Sequence, residues 1–143
     1  MEDIFTLTLS EELEIAARLI MAAVFGAAVG YERRSAVKPA GLRTLSLVAV
    51  GSALFTIISA YGFETSDQSR IAAQIVTGVG FLGAGTIIRS NTGVSGLTTA
   101  ATVWATAAIG MAVGSGLYIA AASVTLLMLV ILYIFAPNRH PED

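Results

Sequence analysis

Residues 77–86 read TGVGFLGAGT. Gly78, Gly80 and Gly83 stand at the G-x-G-x-x-G spacing of a dinucleotide-binding turn, and Gly85 follows at once. Such a turn needs a β-strand before it, a helix after it and an acidic residue about 20 positions further on. Here the glycines lie within an apolar run, and no Asp or Glu occurs between Asp67 and Glu142. The nucleotide reading fails, so something other than a phosphate must approach this backbone.

Outward from that run, the placement of charge decides the class. No charged residue lies between Arg70 and Arg89, between Arg43 and Glu64, or between Arg89 and Arg139. Between Glu14 and Glu32 only Arg18 interrupts. Each gap is long enough for a helix to cross a hydrocarbon layer roughly 30 Å thick, which takes about 20 residues. Charged residues make up 13% of the chain and hydrophobic ones 55%, whereas a soluble domain carries about 25% charged residues. The sequence predicts an all-α, polytopic membrane bundle forming a single transmembrane domain over residues 1–143. Its five spans are expected at about 13–31, 42–61, 71–88, 97–113 and 117–135. The Gly-Ser-Gly at 114–116 turns the last apolar stretch into a tight hairpin.

Lys and Arg in short loops set orientation. Arg33, Arg34 and Lys38 fill the first loop, Arg89 opens the third, and Arg139 is in the tail. The acidic N-terminus, the loop with Glu64, Asp67 and Arg70, and the Gly-Ser-Gly turn fall on the other side. This places the N-terminus outside and the C-terminus in the cytoplasm. The acidic start MEDIFTLTLSEELE lacks the basic segment of a secretory signal, so no removable leader is expected. Without cysteine there is no disulfide, thiolate nucleophile or Cys-based metal site. The net charge of −2 says little, because charges in a membrane protein matter by side rather than by sum; no nucleic-acid partner is expected.

If the third span were helical throughout, Gly78 and Gly85 would share one side and Gly80 and Gly83 the opposite side with Ala73, at about 100° per residue. Small residues let helices approach closely in lipid. The four glycines are therefore read as packing positions on a central helix clamped from both sides, with local unwinding beside a substrate as the alternative. Gln74, Gly78, Gly85 and Arg89 would lie in one arc flanked by Arg70 and Thr77. An amide at membrane depth needs a partner, so Gln74 should face protein or a wet cavity.

Other polar residues at depth carry two readings each. Arg18 either pairs with Glu14 one turn away or lines a cavity. The GLRT at 41–44 places Arg43 and Thr44 in a first helical turn, suited to a phosphate, a lipid headgroup or the carboxylate of Glu32. Thr98, Thr102 and Thr106 form a hydroxyl stripe that either bonds its own helix or lines an ion path. A dedicated Mg²⁺ site would want carboxylates, and the nearby acids are only Glu14, Glu32 and Asp67. No metal site, catalytic constellation or cofactor is indicated.

The stretches GYERR (30–34), AGLRT (40–44), SDQSRIAAQIVTGVGFLGAGTIIR (66–89) and GLTTAATVWATAAIGMAVGSGLY (96–118) closely resemble the MgtC/SapB family of bacterial inner-membrane proteins. The likeness covers the first four spans in order. Matching family-pattern positions are Glu32, Arg33, Arg43, Thr44, Asp67, Arg70, Gln74, the four glycines, Thr98, Thr99 and Trp104. The resemblance implies a multi-pass inner-membrane protein tied to growth at low magnesium and, in pathogens, to survival in macrophages. MgtC-type members add a soluble cytoplasmic domain after the bundle; this sequence ends at PNRHPED, as expected of a short SapB-like member or a shortened chain. Two functions follow as expectations. One is ion homeostasis, by transport or by modulation of a transporter, in a homodimer. The other is an interaction module that regulates another membrane protein, such as the ATP synthase. Membrane lipids surround the chain in either case.

Overall fold

A computed structural model describes residues 7–35, 38–62, 68–91 and 93–136. Five helices, α1 (Leu9–Ser35), α2 (Leu42–Tyr61), α3 (Gln68–Ala84), α4 (Leu97–Gly114) and α5 (Tyr118–Ile134), form an all-α bundle. Among the described residues Leu9–Arg33, Leu42–Tyr61 and Leu97–Gly114 are long and apolar enough to cross a membrane, and α5 is a shorter apolar helix.

The ends of the helices follow from local chemistry. At the start of α1, the Thr8 N–H donates to Glu11 Oε2 at 2.8 Å and the Glu11 N–H donates to Thr8 Oγ1 at 3.4 Å. This reciprocal capping box satisfies two backbone donors that the first turn leaves without partners. On the same side of the bundle, α4 closes in a Schellman turn. The Leu117 N–H reaches the Ala112 carbonyl at 2.8 Å and the Gly116 N–H that of Val113 at 3.0 Å. Gly116 has φ +79 there, in the left-handed region that favours glycine. The Gly-Ser-Gly hairpin expected at 114–116 is this turn.

The third span differs from expectation. It ends as a helix at Ala84 rather than continuing to Ile88, and β1 (Ile88–Ser90) then pairs antiparallel with β2 (Gly93–Ser95) in the register Ile88↔Ser95, Arg89↔Val94, Ser90↔Gly93. Two causes act together. The Thr86 hydroxyl donates to the Gly83 carbonyl at 2.8 Å, which competes with helix continuation. Thr86, Ile87 and Ile88 are then β-branched residues that favour extended backbone. The hairpin is sealed at its base by Gly96 (φ +87), where a Cβ would collide with the Thr86 carbonyl. Gly85 and Arg89 therefore do not continue the helical arc of Gln74 and Gly78.

The helix at the centre also differs. α3 packs mainly against α2 and α4, whereas α4 packs against all four other helices and α2 lies between α1 and α4. The close approaches are made by two Gly-x-x-x-Gly tracks. On α1, a Cβ at Gly26 would stand 2.6 Å from the Leu45 carbonyl oxygen, and one at Gly30 would stand 2.5 Å from Leu42 Cα. On α4, Gly110 lies against the Ala49 carbonyl, and a Cβ at Gly114 would be 2.7 Å from that of Ala53. α2 is thus gripped by glycines from both sides, and its Leu45, Ala49 and Ala53 are fully buried. Such contacts drive helix association where lipid offers no hydrophobic contrast.

Candidate functional site

A groove of about 740 Å³ opens between α2 and α3. On α2, Arg43, Leu47, Gly51 and Phe55 recur at i+4, with Thr44, Val48 and Ser52 one position round the helix. The antiparallel α3 supplies Ile71, Gln74, Ile75, Gly78, Val79 and Leu82. Val48, Ser52, Ile75 and Val79 are buried at the floor, while Leu47, Phe55 and Leu82 are exposed at the rim. Gly51 and Gly78 meet nothing within 4 Å of where a side chain would begin. The groove therefore stays open because two residues on facing walls lack side chains.

Four positions expected from the sequence meet in this groove: Arg43, Thr44, Gln74 and Gly78. Arg43, Thr44 and Gln74 are exposed, and no hydrogen bond or ion pair holds the side chains of Arg43 or Gln74 among the described residues. The Arg43–Glu32 pair weighed above does not form. Glu32 Oε2 lies instead 3.7 Å from Arg33, whose Nη2 donates to Thr99 Oγ1 at 3.1 Å. Arg33 is 4% exposed and Thr99 is buried, so this cluster is sealed between α1 and α4. Within it, Glu32 Oε2 and Arg33 Nε lack hydrogen-bond partners.

Arg18 is held at the opposite end. Its Nη2 and Nε donate to Glu14 Oε1 at 2.5 and 3.2 Å, and its Nη1 donates to the Gly114 carbonyl at 2.8 Å. Its guanidinium also lies 5.9 Å from the Tyr118 ring centroid. The last carbonyls of a helix have no partner within it, and Arg18 supplies one to α4. Arg18 thus ties α1 to the α4–α5 turn and takes up the Glu14 charge.

The threonine stripe closes on its own helix. Thr102 Oγ1 donates to the Thr98 carbonyl at 2.7 Å and Thr106 Oγ1 to that of Thr102 at 2.8 Å. The Thr98 side is exposed. Arg70, in the first turn of α3, and Arg89, on β1, are both exposed. Asp67 lies outside the described residues. Of the four glycines in the opening motif, Gly83 faces Ala100 of α4, Gly78 and Gly80 meet nothing, and Gly85 lies in the turn after α3. Among the described residues, no group of three or more His, Cys, Asp or Glu side chains is poised for a metal.

Sequence reasoning passed over the glycines that pack the bundle. The spacing of Gly26 with Gly30 and of Gly110 with Gly114 is the small-xxx-small signal of helix contact, and it was present in the chain. Ser52 and Gly51 of the groove carried no such signal, because only the pairing of α2 with α3 places them opposite Gln74 and Gly78.

The chain is similar in sequence to several known proteins. YhiD of Escherichia coli (strain K12), a candidate magnesium transporter, is 50% identical over 130 residues, which is 85% of this chain and 60% of YhiD. MgtC of Brucella abortus (strain 2308) is 44% identical over 122 residues, 85% of this chain and 51% of that protein. A Haemophilus influenzae protein with no assigned role is 39% identical over 130 residues, covering 84% and 55%. The chain thus spans between half and two thirds of the length of these relatives. No solved structure matches it significantly. The MgtC family model matches residues 19–140, from the middle of α1 to beyond α5, and the chain belongs to the MgtC family.

Proposed function

We propose that this chain is a non-enzymatic, multi-pass protein of the bacterial inner membrane. In this reading it serves Mg²⁺-related ion homeostasis by modulating another membrane protein rather than by conducting ions through its own bundle. One observation carries the choice: the polar side chains of α1 and α4 at membrane depth close on one another or on their own helix instead of lining a path across. Arg18 is taken up by Glu14 and the Gly114 carbonyl, Thr102 and Thr106 by their own helix, and Arg33 by Thr99. A conduit needs ligands that an ion can enter and leave, and a carboxylate-poor set suits Mg²⁺ badly. The magnesium connection is drawn from the name of the relative YhiD.

Two measurements test it. Liposomes holding the purified chain should show no Mg²⁺, K⁺ or proton flux above empty liposomes. ATP-driven proton pumping in inverted membrane vesicles should change when the chain is present. A Mg²⁺ flux that Gln74→Leu abolishes would overturn the reading in favour of transport through the α2–α3 groove, whose Arg43, Thr44, Ser52 and Gln74 are the polar groups left facing an opening.

A further inference from the structure

The α2–α3 groove has a length and a charge pattern that point to its occupant. Phe55 stands 12 positions after Arg43 on α2, which is about 18 Å at 1.5 Å per residue. One leaflet of a hydrocarbon layer roughly 30 Å thick is about 15 Å deep. The walls along that length are mostly apolar, and the mouth carries Arg43, a cation without an acidic partner among the described residues. Gly51 and Gly78 leave open space in the middle of the trough. A cation above an apolar trough one leaflet long complements an anionic headgroup above an acyl chain.

We propose that the groove binds an anionic phospholipid of the leaflet that Arg43 borders. The phosphate accepts hydrogen bonds from the Arg43 guanidinium, with the Thr44 hydroxyl beside it, and one acyl chain lies along Leu47, Gly51, Gly78 and Leu82. A guanidinium matches phosphate oxygens in two-point geometry, and an acyl chain requires no hydrogen bond from the walls. A transmembrane helix fits less well. It would run the full depth of the layer and need small residues along the whole trough, yet Leu47, Phe55 and Leu82 crowd the rim. The Gln74 amide is uncharged and lies below the Arg43 mouth of the groove, so it does not select between headgroups.

The test counts phospholipid retained by the purified 143-residue chain, by native mass spectrometry from micelles doped with either phosphatidylglycerol or phosphatidylcholine. The wild type should retain phosphatidylglycerol about tenfold better, the scale of one charge-assisted contact. Arg43→Gln should bring the two lipids to parity, while Arg89→Gln, on the exposed hairpin, and Gln74→Leu should keep the preference. Gly78→Leu, and independently Gly51→Leu, should displace both lipids while circular dichroism shows the helices intact. A preference that survives Arg43→Gln, or that Arg89→Gln removes equally, overturns the site in favour of a diffuse basic surface. Lipid release on Gln74→Leu together with loss of a dimer mass overturns it in favour of a second copy in the groove. No outcome depends on ion flux or proton pumping, so this inference and the modulator reading stand or fall separately.

Discussion

Arg18 shows how one side chain can be costly or structural depending on what it reaches. An isolated charge within an apolar span is expensive, and an ion pair with an exposed partner such as Glu14 recovers only about 0–1 kcal/mol. The Gly114 carbonyl alters the balance: it is a helix-end acceptor without an intrahelical partner, and the guanidinium reaches it at 2.8 Å. A hydrogen bond to a charged group contributes about 1.5–3 kcal/mol. Arg18→Gln should therefore lower the thermal unfolding midpoint in detergent clearly more than Glu14→Gln does. Equal losses would mean that the ion pair, not the tie to α4, carries the effect. Both alternatives for Arg18 were open from sequence, because the Glu14 pair is visible at i,i+4 whereas Gly114 is 96 positions away.

At the scale of the element, the glycine tracks separate into those that pack and those that leave space. Gly26, Gly30, Gly110 and Gly114 press against the α2 backbone, and a side chain at any of them must displace main-chain atoms that cannot move independently. Gly110→Leu should abolish the folded bundle, since overpacking costs of about 1–3 kcal/mol apply to side chains that can adjust, and here backbone is in the way. Gly78→Ala should be tolerated and even add up to about 1 kcal/mol through helix propensity, because nothing lies within 4 Å of it. Thermal unfolding of the two variants side by side checks both directions. A destabilised Gly78→Ala would mean that a partner already occupies that face. The third helix was misread for a related reason. Apolar composition continues to Ile88, but the backbone leaves the helix at Ala84, where Thr86 and the hairpin closure at Gly96 offer its groups other partners.

For the whole molecule, the distribution of Lys and Arg makes a topological statement that labelling can read. The chain has no cysteine, so single cysteines report without background. With the N-terminus outside, Asn91→Cys in the hairpin should react with an impermeant maleimide only in inverted vesicles, and Ser115→Cys in the α4–α5 turn only in intact spheroplasts. Labelling of both from one side would rule out the alternation of loops on which the orientation rests.

The amino-acid sequence by itself determined that this is a membrane bundle, where most helices begin and end, and which family it belongs to. Those properties are local: the length of an apolar run, a glycine after a helix, a motif read in order. Tertiary structure alone decided which helix is central, which glycines touch backbone and which polar groups remain available. A Gly-x-x-x-Gly spacing is only an offer of contact until a neighbouring helix accepts it. The run TGVGFLGAGT had glycines enough for a central helix, yet α4, which packs against all four other helices, holds that place, and Gly26, Gly30, Gly110 and Gly114 converge on α2 from both sides. That left Gly78 beside an open groove, with Arg43 at one end and the Gln74 amide on its wall.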